Sequence, residues 1–316
     1  MKRFSYLAFL LILALSVMIG CSSNDDQASE SEQEAETNET EFPLTVTDAT
    51  DNELTFEKKA EKIVSVLPSN TEIAFALGLD DEIIGVTSLD NYPEEAAEKE
   101  TVGDFQINVE KVISLEPDVV LADESVDEAA LDQIRDADIQ VLVVKTAENF
   151  EEVYDAIHLI GKVTDTTEQA DQIESDMKEK LASLSDKVAE IENPKSVYVE
   201  VSPSPETYTA GKNTFINTIL EKINAENSAG DLEGWPQVNE EAVLEMNPDI
   251  IITTYGNYVD DPIKEITDRE SWSDLTAVKN KEIYDVNEDL VSRPGPRLVE
   301  GAEELAKAIY PDLFAN

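Results

Sequence analysis

The chain has 316 residues, with 70 acidic against 23 basic side chains, a formal net charge of −47, one Cys and one His. A nucleic-acid partner would need a basic face that releases counterions, so that class is excluded; one Cys rules out an internal disulfide framework, and one His rules out the multi-His cages that zinc and copper prefer. A hydrophobic content of 41% still provides a large core, and the length suits about two domains.

In chain order, Lys2 and Arg3 precede an apolar run from Phe4 to Ile19. The run is shorter than the ~20 residues of a membrane-spanning helix and reads as a secretory leader over 1–20. Met18-Ile19-Gly20-Cys21 resembles a bacterial lipobox with Met for the usual Leu, which implies acylation of Cys21 and membrane attachment through it. Residues 22–41 carry eight acids and no base, so 21–43 is expected to be a lipidated, acidic, disordered tether. The remaining chain is acidic as well. That suits an exported protein in saline or alkaline surroundings, where dense carboxylates keep the surface solvated.

An internal repeat organises the rest. Residues 103–121 read GDFQINVEKVISLEPDVVL and residues 234–252 read GWPQVNEEAVLEMNPDIII, at a constant offset of 131. Gly103/Gly234, Gln106/Gln237, Asn108/Asn239, Glu110/Glu241, Val112/Val243, Pro117/Pro248 and Asp118/Asp249 are identical. In each copy the Asn suits a helix N-cap and the Glu falls in the first turn, where the helix dipole favours it. The continuous apolar runs Val119–Ala122 and Ile250–Ile252 then suit strands buried on both faces.

Ile63–Leu67 reads as a buried strand, and Ser69 with Glu72 as a capping box opening a helix to Gly78. Ile83–Val86, Val141–Val144, Val197–Val201 and Ile283–Val286 are further strands, Asn213–Ile223 is a helix, and Pro296 opens a last helix to Ile309. Between the halves, Asn149–Gly161 and Thr166–Glu192 are helical. The second is a 27-residue stretch without Pro or Gly, with Ile173, Met177, Leu181, Leu184, Val188 and Ile191 on one stripe. The predicted fold is α/β: two similar α/β lobes, 44–148 and 193–316, joined through a bridging segment at 149–192 by a single long helix. The ligand cleft is expected between the lobes, at the carboxyl ends of the strands.

Residues 60–312 resemble the class III substrate-binding proteins of ABC importers, which carry vitamin B12 and ferric siderophores, and are most similar to the vitamin B12 binders. The likeness rests on IVSVLPSNTEIAFALGL (63–79), YPEEAAEKETVG (92–103), TYTAGKNTFINTIL (207–220), WPQVNEEAVLEMNPDIIIT (235–253) and EDLVSRPGPRLVEGAEELAKAI (288–309). It implies a lipid-anchored protein on the outer face of the cytoplasmic membrane or in the periplasm. Such a protein acts as a monomer, captures cobalamin and delivers it to a permease dimer with its ATPase subunits. It has no cofactor of its own, although the ligand itself contains cobalt or, in the alternative of a ferric siderophore, iron.

The resemblance also implies site residues. Trp235 matches a Trp that packs on the corrin, Tyr208 an aromatic contact, and Asp289 with Arg293 a pair facing the ligand. Glu110 and Glu241 match the glutamates that dock on permease arginines. The relatives carry aromatics where this chain has Leu89, Asp104 and Asp123; Phe105, Tyr92, Tyr255 and Tyr258 are the nearby substitutes. Asp104 and Asp123 make the rim more acidic, which suits a neutral or cationic ligand. Arg297, in a first helical turn, needs a partner and is expected in a structural salt bridge. An enzyme is disfavoured. TAGKNT (209–214) lacks the first glycine of a phosphate loop, no G-x-S-x-G elbow exists, and His158 reads as a helix-face residue, leaving a lipid-anchored hydrolase as the distant alternative.

Overall fold

The computed structural model describes residues 40–315. The leader 1–20, Cys21 and most of the acidic tether lie outside the described residues. Among the described residues no helix is long and apolar enough to cross a membrane.

The chain opens with an antiparallel hairpin, β1 (Leu44–Thr47) and β2 (Glu53–Phe56), which turns Val46, Leu54 and Phe56 inward. The first parallel sheet follows in the order β5-β4-β3-β6-β7, from β3 (Ile63–Ser65), β4 (Ile83–Val86), β5 (Glu100–Thr101), β6 (Val119–Asp123) and β7 (Gln140–Val144). The second has the parallel order β10-β8-β11-β12, from β8 (Ser196–Ser202), β10 (Glu226–Asn227), β11 (Ile250–Thr253) and β12 (Ile283–Asp285). A short antiparallel β9 (Tyr208–Thr209) is added on β8.

The repeat explains the centre of each sheet. Asn108 and Asn239 cap their helices, accepting hydrogen bonds from the amides of Lys111 and Ala242. The helices, Val109–Ser114 and Glu240–Met246, lead through the Pro-Asp pair into β6 and β11. The aspartates do the same work in both lobes: Asp118 accepts from the Glu61 and Lys62 amides, and Asp249 from the Ser196 amide, at the start of β3 and β8. Each therefore ties its strand to the central neighbour at the amino edge of the sheet.

Both central strands are buried on two faces, as their unbroken apolar runs require. Leu142 and Val144 of β7 and Ile250 and Ile252 of β11 face a core common to both lobes. Val141 and Val143 face a second core behind the first sheet, and Ile251 a third core behind the second sheet with Tyr198 and Trp272. Phe150 of the first half meets Phe215 of the second edge to face, ring centres 6.3 Å apart.

The bridging helix runs over Thr167–Val188, 22 residues or roughly 33 Å, and buries Ala170, Met177, Leu181, Leu184 and Val188 in the common core. It ends before the expected Glu192. The Asn224 side chain donates to the carbonyls of Val188 and Ile191, satisfying acceptors that a longer helix would have used. His158, on the preceding helix Phe150–Thr164, pairs with Glu174 of the bridging helix and so acts in helix packing.

Two local expectations are corrected. No capping box forms at Ser69: the helix Pro68–Ala76 has Leu67 as an extended N-cap and Pro68 in its first turn, and the Glu72 carboxylate turns to two arginines of the other lobe. The last long helix begins at Leu298 rather than Pro296, with Arg297 at its N-cap.

Candidate functional site

A cleft of about 1350 Å³ opens at the carboxyl ends of both sheets. The first lobe supplies the turns after its strands: Val66–Ser69 after β3, Ser88, Leu89 and Asn91 after β4, Asp123 and Ser125–Asp127 after β6, and Thr146–Glu148 after β7. The repeat's own loop adds Asp104–Ile107. The second lobe supplies Asn213–Phe215, Trp235, Asn257 and the segment Glu288–Arg293.

Two apolar faces stand at the rim, one from each copy of the repeat. Phe105 is 90% exposed and Trp235 47% exposed, and both line the cleft. Trp235 directly follows Gly234, φ 61°, whereas Phe105 stands two residues after Gly103, φ 138°, so each copy of the repeat carries an aromatic just past its glycine, at neighbouring rather than equivalent positions. Exposed aromatic area of this size is costly to keep in water and is a ready platform for a flat ligand.

The polar lining is unbalanced. Asp104, Asp123, Asp127, Glu148, Glu288 and Asp289 line the cleft, and Arg293 is its one cation among the described residues. Arg293 is already engaged. It pairs with Asp289 at 2.9 Å and Glu72 at 3.1 Å, and donates to the Asn91 side-chain oxygen at 2.6 Å, while the Asn91 amide donates to Asp289 at 2.9 Å. Asp289 and Arg293 therefore pair with each other as part of a bridge between the lobes rather than forming an open anion receptor. Several of the other carboxylates are held as acceptors: Asp123 caps Ser125 and receives the Thr146 hydroxyl, and Asp127 caps the helix Glu128–Arg135. Burial, with Asp289 as a further influence, holds the Glu288 carboxyl above the usual Glu range, against the Asn257 amide and Arg293.

Trp235, Phe105, Asp289 and Arg293 thus meet at one cleft, and four expected aromatics do not. Tyr255 is fully buried and donates its hydroxyl to Glu200 at 2.8 Å. Glu200 in turn takes both arms of the Arg269 guanidinium, at 2.7 Å each, so burial of a charge pair claims this tyrosine. Tyr92 lies outside the cleft, its ring stacked against Arg297 at 3.7 Å. Tyr208 sits in β9, bridged to Gln237 and away from the cleft lining. Tyr258 is exposed and packs at 6.2 Å on Tyr255, outside that lining as well. The reading from sequence omitted Asn91, Asn257 and Glu288. Their signal was position: each follows closely on the carboxyl end of a strand, where such a cleft must be built. Among the described residues no group of three or more His, Cys, Asp or Glu is arranged to hold a metal ion.

Glu110 and Glu241 lie in the first turns of the two repeat helices, both exposed and, among the described residues, without an ion-pair partner. The repeat therefore sets them at equivalent places on the two lobes.

Known proteins match this architecture. The periplasmic binding protein family covers residues 63–290. An uncharacterized ABC transporter substrate-binding lipoprotein of Bacillus subtilis is 46% identical, over 99% of each chain. A cobalamin-binding protein of Halobacterium salinarum is 28% identical over 96% of this chain and 84% of its own. Among solved structures, a possible iron-binding (periplasmic solute-binding) protein from Staphylococcus epidermidis superposes with a TM-score of 0.73 at 39% identity, over 80% of this chain and all of that one.

Proposed function

Since this chain belongs to the periplasmic binding protein family, we propose that it captures cobalamin outside the cytoplasmic membrane and hands it to an ABC importer. It is a substrate-binding protein of an ABC transporter, not an enzyme, and its exported lipoprotein character agrees with that of its Bacillus subtilis relative. The choice of cobalamin is the finer step. It is carried by one observation: a cleft with an exposed aromatic from each lobe and six carboxylates against a single, internally paired arginine.

That lining suits a large flat ligand without net negative charge. The cleft exceeds the ~300–1,000 Å³ of ordinary small-molecule pockets, which a macrocycle requires. Carboxylates accept hydrogen bonds from the primary amides that fringe a corrin, and the amides of Asn91, Asn213 and Asn257 can both give and accept. An anionic chelate would face the carboxylates with no free cation to offset them. The cobalamin-binding relative from Halobacterium salinarum supports the reading.

A ferric siderophore is the second reading, favoured by the Staphylococcus epidermidis structure. In that case the same lining selects a neutral or cationic chelate over an anionic one. Delivery engages Glu110 and Glu241, one per lobe, with cationic sites on the two halves of a permease dimer. The protein contributes no cofactor; any metal enters with the ligand.

The test is a calorimetric titration with cobalamin and with neutral, cationic and anionic ferric siderophores. One-to-one binding of cobalamin, weakened roughly tenfold by Trp235→Ala or Phe105→Ala, supports the reading. Binding of a ferric chelate alone moves the ligand to iron, and preference for the anionic chelate overturns the charge argument.

A further inference from the structure

A second cavity, about 520 Å³, lies at the junction of the two lobes against the bridging helix. It shares no lining residue with the cleft. Glu72 separates the two: its carboxylate binds Arg293 on the cleft side and Arg297 on the side of the second cavity. The volume falls within the ~300–1,000 Å³ common for small-molecule sites.

The floor is apolar. Met177 and Val299 are buried there, and Phe75 and Tyr92 turn aromatic surface toward it. Both rings already attract cations, Lys99 at 5.8 Å over Phe75 and Arg297 at 3.7 Å over Tyr92. The walls add Asp80, Glu95 and Glu300, whose carboxylates have no hydrogen-bond or ion-pair partner among the described residues. Asp176 and Lys180 of the bridging helix complete the charged lining, so five carboxylates, Glu72, Asp80, Glu95, Asp176 and Glu300, face two cations, Lys180 and Arg297, and the Arg297 guanidinium is committed to Glu72. An apolar floor under unpaired carboxylates recognises an apolar body bearing a positive charge.

We propose that this cavity is a second binding site, for an organic cation with an aromatic or alkyl body, distinct from the transport cleft. The excess of carboxylates over Lys180 and Arg297 disfavours an anion, and a bare metal ion would leave the apolar floor unused. The site does not depend on which ligand the cleft carries.

The test uses the full-length protein in detergent, titrated with 2-phenylethylammonium and with its neutral analogue 2-phenylethanol, against a micelle blank. Saturable one-to-one binding of the cation is expected, at least tenfold tighter than the alcohol. Ala76→Trp fills the cavity from an exposed helix position and should abolish it. The triple variant Asp80→Asn, Glu95→Gln, Glu300→Gln, changed only at exposed positions, should weaken it at least tenfold. Trp235→Ala should leave it unchanged. Unsaturable uptake, equal binding in Ala76→Trp, or loss in Trp235→Ala overturns the proposal; the first two would mark diffuse attraction to an acidic surface, and the third a site in the cleft.

Discussion

Glu72 and Arg297 stand 225 residues apart and meet in a two-armed pair, Nε to Oε2 at 2.8 Å and Nη2 to Oε1 at 2.6 Å. Their side chains are 2% and 13% exposed, and Arg293 adds a third contact to the same carboxylate. One buried carboxylate thus holds two cations of the other lobe beside the core that the lobes share. Removing it strands Arg297, while Arg293 keeps Asp289 and Asn91. Glu72→Ala should cost about 3–5 kcal/mol in urea unfolding, the range for breaking a buried pair from one side. Because the arginines would lose the same partner, the double variant Glu72→Ala, Arg297→Ala should cost clearly less than the sum of the singles. Strict additivity would show that the pair is energetically silent.

This pair also marks the limit of what the sequence shows. The repeat was legible because identical residues do identical local work: Asn108 and Asn239 cap helices three residues on, and the apolar runs after Asp118 and Asp249 need only a two-sided core. Ser69 and Glu72 had the spacing of a capping box, but two cations from the far end of the chain outbid a local backbone amide for the carboxylate. Arg297 could be read as needing a partner, though nothing near it in sequence named Glu72. Tyr255 looked available because it follows a strand near the cleft; Glu200 and Arg269, brought in by the fold, bury it instead. Trp235 was read from its match to a Trp of the relatives and Phe105 as a neighbour of their missing aromatics, and both stand just ahead of the repeat helices, a placement that local sequence sets.

The two repeat glycines should respond differently to the same substitution. A Cβ on Gly103 would stand 2.3 Å from the Gln106 carbonyl oxygen, at a φ of 138° that L-residues rarely adopt. Gly234 has a φ of 61° and nothing within 4 Å. Gly234→Ala should therefore cost about 1 kcal/mol, the left-handed penalty alone. Gly103→Ala must also displace the loop that carries Asp104 and Phe105, and should cost about 3 kcal/mol or more. Denaturant unfolding separates the two, and titration should show weaker cleft binding for Gly103→Ala. Equal costs would mean that the Gly103 loop yields freely.

Glu110 and Glu241 provide a test that separates delivery from capture. Both are exposed and outside the cleft lining, so their removal touches neither the core nor the ligand site. The double variant Glu110→Ala, Glu241→Ala should keep the wild-type ligand affinity and lose only the small helix-dipole contribution to its melting temperature. Uptake by cells that depend on the importer should fall several-fold, more than with either single change, if the proposed docking sets one lobe on each permease subunit. Unchanged uptake would assign the two carboxylates to helix-dipole stabilisation only.

Glu288 gives the cleft a pH dependence whose sign is fixed by its surroundings. Its carboxyl is held above the ordinary Glu value of 4.5, first by burial and then by Asp289, while Asn257 and Arg293 oppose the shift. A carboxyl raised on folding adds stability that is complete below its unfolded pKa and is lost as pH rises through the folded one. Gln at this position has the same shape and does not titrate. Glu288→Gln should therefore melt higher than wild type near neutral pH. The difference should shrink as pH falls through the raised pKa and vanish below about pH 4, where wild-type Glu288 is neutral as well. Thermal melts of both proteins between about pH 4 and pH 7.5 measure it. A difference that stays constant with pH, or a variant that melts lower at neutral pH, would show that the Asn257 contact, 3.4 Å long, outweighs the cost of burying the charge.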